Sequence, residues 1–309
     1  MKPEVECGVC LMHWVYGRVA SIADREELPD IARRLVDVLV RDVRPSANLG
    51  SLCNSAVGSV FAPSSRAADH YEKLKRESNE YAAALLPRAR AYIDAGKTMR
   101  EKLERSCFLA AASNVAPLNS PSGAYTFQEI SQIIDRDDFA PVVAGDVYRT
   151  VRAGRRILYI TDNAGEIGFD SLVLDLIGRM GPRVTLVVKE RTFFEDATLE
   201  DARFFGLDKS TDRIVTVDGF FAPRAVPGSL REIFEESDLV IGKGTGSYEA
   251  LSGETEGKPS IFMLKVKCGP IAGKTGISEG NVVIKLDRGG VRVKPQASPN
   301  RNLFELKGG

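Results

Sequence analysis

Apolar and polar positions follow two rhythms along this chain. Up to about residue 150 the apolar residues recur at helical spacing, with few β-branched runs. In "ELPDIARRLVDVLVRDV" Ile31, Leu35, Val38 and Leu39 share one face, and Pro29 sits just inside the predicted start, where its missing N–H costs nothing. "RAADHYEKLKRESNEYAAALLPRARAYIDAG" predicts a long charged helix, bent or broken at Pro87 because the ring clashes with the preceding turn. "TMREKLERSCFLAAASNVA" predicts another helix, and "PLNSPSGAY" reads as the loop after it.

From Arg155 the rhythm changes. "RRILYIT", "RVTLVVKE", "RIVTVDG", "DLVIGKG" and "SIFMLKVKC" are short, nearly continuous apolar runs, as expected of strands buried on both faces. Helical patterns separate most of them: "FDSLVLDLIGRMG", "TLEDARFFG" and "LREIFEES". Strands alternating with helices of about ten residues predict crossover units and a mostly parallel sheet covered on both sides. "NVVIKL" and "GVRVKP" predict a terminal strand pair across Arg288-Gly289-Gly290. The expectation is an α/β domain over 151–309 with a helical N-terminal domain over 1–150.

Charge and composition narrow the classes. Lys plus Arg equal Asp plus Glu at 42 each, so no net field draws the chain to nucleic acid or membrane. No apolar run approaches the roughly 18–20 residues of a membrane span. The start, "MKPEVECGVCLMHWVYG", lacks the basic, apolar and small-residue regions of a secretory leader. Cys7, Cys10, Cys53, Cys107 and Cys268 are odd in number and scattered, which argues against a disulfide scaffold. A cytoplasmic protein is the expectation, and nothing in the sequence fixes its oligomeric state.

A parallel sheet puts its ligand beyond the carboxyl ends of the strands. Asp162 and Asn163 follow the first of these strands, Glu195 and Asp196 the second, Asp218 and Gly219 the third, and Lys243-Gly244-Thr245-Gly246-Ser247 the fourth. Asn163 with Glu166 fits a capping box, which leaves Asp162 without a purpose. A hard cation supplies one, taking oxygen from carboxylate and amide alike. Asp196 is open to the same two readings, with Thr198 competing for the helix cap. "GKGTGSYEAL" is not a Walker sequence, although its amides and Lys243 can hold an anion; the alternative is a tight turn with a solvated lysine. Cys7-x2-Cys10-x2-His13 has metal-ligand spacing but lacks a fourth ligand, and buried cysteines on a helix face explain it equally.

Taken in order, "TDNAGEIGFD", "EDATLEDA", "VIGKGTGSYEAL" and "FMLKVKC" resemble the DUF89 proteins, also called ARMT1-like or damage-control phosphatases. "CGVC" and "YEKLKRESNEYA" fit the stand-alone branch that carries Cys-x2-Cys. The resemblance implies a helical N-terminal domain on a Rossmann-like three-layer α/β domain. It also implies hydrolysis of small phosphomonoesters, sugar phosphates or damaged phosphometabolites, with Mg²⁺, Mn²⁺, Co²⁺ or Ni²⁺. Carried over by motif, the metal ligands are Asp162, Asn163 and Asp196, with Glu166 beside them in the same turn. Lys243 is the phosphate-contacting lysine, with Gly244 and Ser247 in its loop, and Asn79 and Asn114 lie in helical blocks facing the cleft. The chain departs from the family pattern at Glu195, at Ser247, at His70 and in "SNVAPLN". Water and Asp162 both stand open as the nucleophile. Two further classes remain: a methyltransferase on a Rossmann-like sheet, opposed by the absence of a G-x-G-x-x-G turn, and a metal-binding protein with weakened catalysis.

Overall fold

Each of the five apolar runs after Arg155 is a strand in the computed structural model, which describes residues 1–61, 65–115, 126–137 and 142–288. They are β2 (Arg156–Ile160), β3 (Arg183–Lys189), β4 (Arg213–Val217), β5 (Leu239–Lys243) and β6 (Ser260–Lys265). Two more join them, β1 (Val142–Ala144) and β7 (Val282–Asp287), in a seven-stranded sheet of order β1-β7-β6-β5-β2-β3-β4. Every neighbouring pair is parallel except β6 with β7. The fold is therefore α/β with a mostly parallel sheet. β7 lies between β6 and β1. The expected partner strand "GVRVKP" and the expected loop "PLNSPSGAY" lie outside the described residues, apart from the pairing just given for β7.

Crossover helices α8 (Glu166–Met180), α9 (Leu199–Phe204), α10 (Leu207–Ser210), α11 (Gly228–Glu236) and α12 (Gly244–Leu251) connect the parallel strands, and α13 (Gly269–Thr275) precedes β7. The chain moves outward from β2 through β3 to β4, then returns to place β5 on the other side of β2. That reversal opens a crevice at the carboxyl ends of β2 and β5, where ligands of such sheets sit. In the β2–β5 register Ile160 faces Gly242, so Asp162 and Gly244, two residues beyond each, emerge side by side.

Side chains alternate across the sheet, which separates two cores. Ile157, Tyr159 and Ile241 join one with α8, α4 (Ser65–Asp94) and α5 (Met99–Ala112). Leu158, Ile160 and Val240 join the other with α12, α1 (Val5–Ala20), α2 (Leu28–Asp42) and α3 (Leu49–Val60). Both cores thus draw on residues from either side of position 150. The remaining helices are α6 (Gln128–Arg136) and α7 (Val147–Ala153).

Helix α2 buries Ile31, Leu35 and Val38, the face the pattern marked. α4 continues through Pro87, so of the bend or break expected there the break does not occur. Ala82, Ala89 and Tyr92 on either side of the proline are buried in the core shared with α5 and α8. That packing outweighs one lost backbone hydrogen bond. All five cysteines are free thiols. Among the described residues no helix is long and apolar enough to cross a membrane.

Candidate active site at the carboxyl ends of β2 and β5

Thr161 extends the β2 ladder by donating its N–H to Val187 O at 3.1 Å, and the chain then turns sharply. Gly165 makes the turn at φ 75°, a left-handed value open to glycine, and its N–H donates to Asn79 Oδ1 at 2.6 Å. A Cβ there would press on Ser78 O at 2.8 Å and the Phe127 ring at 2.7 Å. Gly165, not Asn163, is the N-cap of α8, and no side chain caps that helix. The capping-box expectation for Asn163 and Glu166 is therefore corrected. The Glu166 carboxylate turns inward, accepting from Asn163 Nδ2 at 2.8 Å and from Asn114 Nδ2 at 3.2 Å. With its nitrogen committed there, Asn163 keeps its carbonyl oxygen for the cleft.

Asp196 reaches the same place from β3 through a loop that doubles back. Asn163 and Asp196 form an antiparallel bridge, Ala164 N donates to Glu195 O, and Ala197 N donates to Asp162 O, each of the two at 2.8 Å. Thr198 caps α9 in a capping box with Asp201, so the helix makes no demand on Asp196. Asp196 Oδ2 pairs with Lys189 Nζ at 3.1 Å, both side chains buried. Burial pushes this carboxyl up to about 7, against the pull of Lys189. Its neighbour Glu195 instead pairs with Arg18 at 3.1 Å, and Arg18 stacks on Trp14. Glu195 Oε1 is buried without a hydrogen bond.

Lys243 sits elsewhere than expected. Its side chain is fully buried, its Nζ is 3.4 Å from Glu166 Oε2 and 3.3 Å from Asp170 Oδ1, and it does not line the cleft. Parity explains this: Lys243 shares the face of Ile241, which packs under α8, whereas Asp162 shares the face of Leu158 and Ile160. Tyr159 OH donates to Asp170 Oδ1 at 2.7 Å. Burial would strip the proton from Lys243, but Asp170, Glu166 and Asp162 outweigh it and raise its pKa. Burial also raises Glu166 and Asp170, with Lys243 opposing. One ammonium among these carboxylates cannot neutralise them all, so the network favours a retained proton.

Gly244 follows at φ 73°, and a Cβ there would overlap the Asp162 carboxylate. Glycine at this position is what lets the carboxylate lie against the β5–α12 turn. Ser247 is buried one turn further along α12. Asn114 donates to Asp162 Oδ2 at 2.7 Å, while its own Oδ1 is buried without a partner. Asn79 holds the turn and Asp201 (2.7 Å), so both asparagines position the site from beneath; neither lines the cleft.

The cleft itself, about 120 Å³, is lined by Asp162, Asn163 and Asp196 together. α1 supplies Cys7, Cys10, Trp14 and Arg18, and α12 supplies Thr245, Gly246 and Glu249. Lys267, just past β6, is its lysine. Sequence reasoning missed Arg18, Glu249 and Lys267. Lys267 and Glu249 stand inside quoted blocks that follow strands, a signal that was present; Arg18 had none. His13 is exposed and does not line the cleft, so the Cys7-Cys10-His13 spacing is not a converged ligand set. Among the described residues no three His, Cys, Asp or Glu side chains are arranged to hold a metal. The strand-end set differs in kind, with two carboxylates and an amide oxygen. All three are hard oxygen donors gathered on one cleft, which fits a hard divalent cation.

The model of the damage-control phosphatase ARMT1-like domain matches residues 6–283. A damage-control phosphatase of Archaeoglobus fulgidus is 28% identical over 295 residues, covering 93% of this chain and 99% of that protein. The damage-control phosphatase PH1575 of Pyrococcus horikoshii is 26% identical over 289 residues, covering 92% and 97%. The crystal structure of PH1575, a DUF89 family protein, superposes with a TM-score of 0.73 at 22% identity, covering 92% of this chain and 99% of that one.

Proposed function

This chain belongs to the damage-control phosphatase ARMT1-like family, and on that premise we propose that it is a divalent-cation-dependent phosphatase of small phosphomonoesters. Relatives named as damage-control phosphatases support a phosphatase role in general. The finer reading is carried by one observation: two acidic strand ends and an amide, far apart in sequence, line a single cleft. Asp162, Asn163 and Asp196 would hold Mg²⁺, Mn²⁺, Co²⁺ or Ni²⁺, whose charge would offset that building on the phosphoryl oxygens. Lys189 and Lys243, buried behind the ligands, orient Asp196 and Glu166. Asn114 donates to one oxygen of Asp162 and so fixes that carboxylate at the edge of the cleft. Lys267 and Arg18 are the cleft's cationic side chains and would meet the phosphate dianion. Trp14 and Phe220 give the cleft an aromatic wall.

The proposed substrate is a small phosphorylated metabolite in the cytoplasm, with no role for nucleic acid or membrane. The test is turnover of a panel of phosphometabolites with each of the four cations in turn. Asp162→Ala should abolish cation-supported turnover, by at least about 10³-fold, with an unchanged circular dichroism spectrum. A variant that keeps its activity would remove the proposed site.

A further inference from the structure

The cleft holds five carboxylates, and four have an evident situation. Asp162 and Asp196 belong to the oxygen-donor set, Glu195 is paired with Arg18, and Glu6 is exposed at the rim. Glu249 is different. Its side chain is half-buried in the cleft wall and makes no hydrogen bond or ion pair with any described residue. Its backbone, by contrast, is clamped. The Met1 ammonium donates to Glu249 O, Asn48 Nδ2 donates to the next carbonyl, Ala250 O, at 2.8 Å, and Gly50 lets α3 approach Ala250 closely enough that a Cβ would collide. A carboxyl held rigidly at its root and left unpartnered at its tip, beside a phosphoester site, has the form of a proton donor.

We propose that Glu249 is the general acid of the hydrolysis, delivering its proton to the oxygen of the departing alcohol; this rests on the phosphatase reading above. The P–O bond to the alcohol breaks, its electron pair goes to the alcohol oxygen, and that oxygen takes the Glu249 proton. Water forms the replacing P–O bond, and the proton it releases returns through solvent to Glu249, so the carboxyl is restored each cycle.

The surroundings suit the role. Glu249 is faced by the thiols of Cys7 and Cys10 on α1, of Cys53 on α3 and of Cys268, by the Met1 ammonium, and by Asp162 and Lys267. Burial raises all four thiols, so they stay neutral and form a low-polarity wall. The same burial lifts Glu249 to about 7, opposed by the Met1 ammonium, so the acid form persists to neutral pH.

The experiment compares two esters with the purified full chain supplied in turn with MgCl2, MnCl2, CoCl2 and NiCl2. The alcohol of glycerol 3-phosphate needs a proton to leave, while p-nitrophenol leaves as the anion. Glu249→Gln should lower kcat for the alkyl ester by about 100-fold or more, and for p-nitrophenyl phosphate by less than about 5-fold. The fall of wild-type alkyl turnover above neutral pH should vanish in that variant. Glu249→Asp, which keeps the acid on a shorter arm, should retain part of the alkyl activity and report the role if the Gln variant unfolds. Equal losses on both esters, or no loss on either, overturn the assignment. A wild type that cleaves only the aryl ester overturns it too and spares the phosphatase reading. A wild type that cleaves neither with any of the four cations sinks both.

Discussion

Gly244→Ala isolates the close approach on which the site depends. Two costs are expected. Alanine at φ 73° costs about 1–2 kcal/mol relative to glycine. The new Cβ would also lie 1.7 Å from Asp162 Oδ2, and ordinary contact begins at 3.4 Å, so that group has to retreat by well over an ångström. A misplacement of even about 1 Å at a reacting centre costs about 10²-fold in rate. Gly206→Ala separates the two effects. Gly206 has nearly the same φ, 71°, but an added Cβ there meets nothing within 4 Å. Both variants should melt a few degrees lower, about 2–4 °C. Only Gly244→Ala should lose cation-supported phosphatase activity, by about 10²-fold. Differential scanning fluorimetry and steady-state assays at saturating Mn²⁺ read the two effects. If Gly244→Ala keeps wild-type kcat, or if Gly206→Ala loses as much, the packing of Asp162 on the turn is not what sets the site.

Lys243→Met removes the ammonium that touches Glu166 and Asp170, leaving buried carboxylates uncompensated. It should cost about 3–5 kcal/mol in urea unfolding, while KM in the folded fraction stays within about twofold; a large KM effect without destabilisation would instead place this lysine on the phosphate. Asp170 holds its proton above 3.8, the pH at which an unfolded aspartate releases it. The folded state therefore binds more protons than the unfolded one just above pH 3.8, and this group's contribution makes stability fall as pH rises through that window. Asp170→Asn should flatten the urea-midpoint profile there; an unchanged slope would show that Asp170 ionises freely in the fold.

Much of this was legible in the sequence because a parallel sheet concentrates chemistry at its strand ends. Apolar runs without alternation marked β2 to β6, and reading just past them found Asp162, Asn163 and Asp196. Lys243 was harder, because knowing that a residue ends a strand does not say which face it takes. Parity with Ile241 carried that information, but only once Ile241 was known to lie under α8. Asn163 and Glu166 matched a capping box in spacing, yet Gly165 with its left-handed backbone took the cap and freed both side chains. Pro87 looked like a break because local rules ignore the tertiary packing of Ala89 and Tyr92. Arg18 was invisible for a related reason. It lies on the first helix, and only the folded second core brings that helix over the mouth of β2.

With α1 over the mouth of β2, the cleft is walled by a helix and floored by strand ends that lie far apart in the chain. Neither part encloses a ligand alone. Local melting of α1 off the second core therefore opens the chamber while the oxygen donors stay on their strand tips.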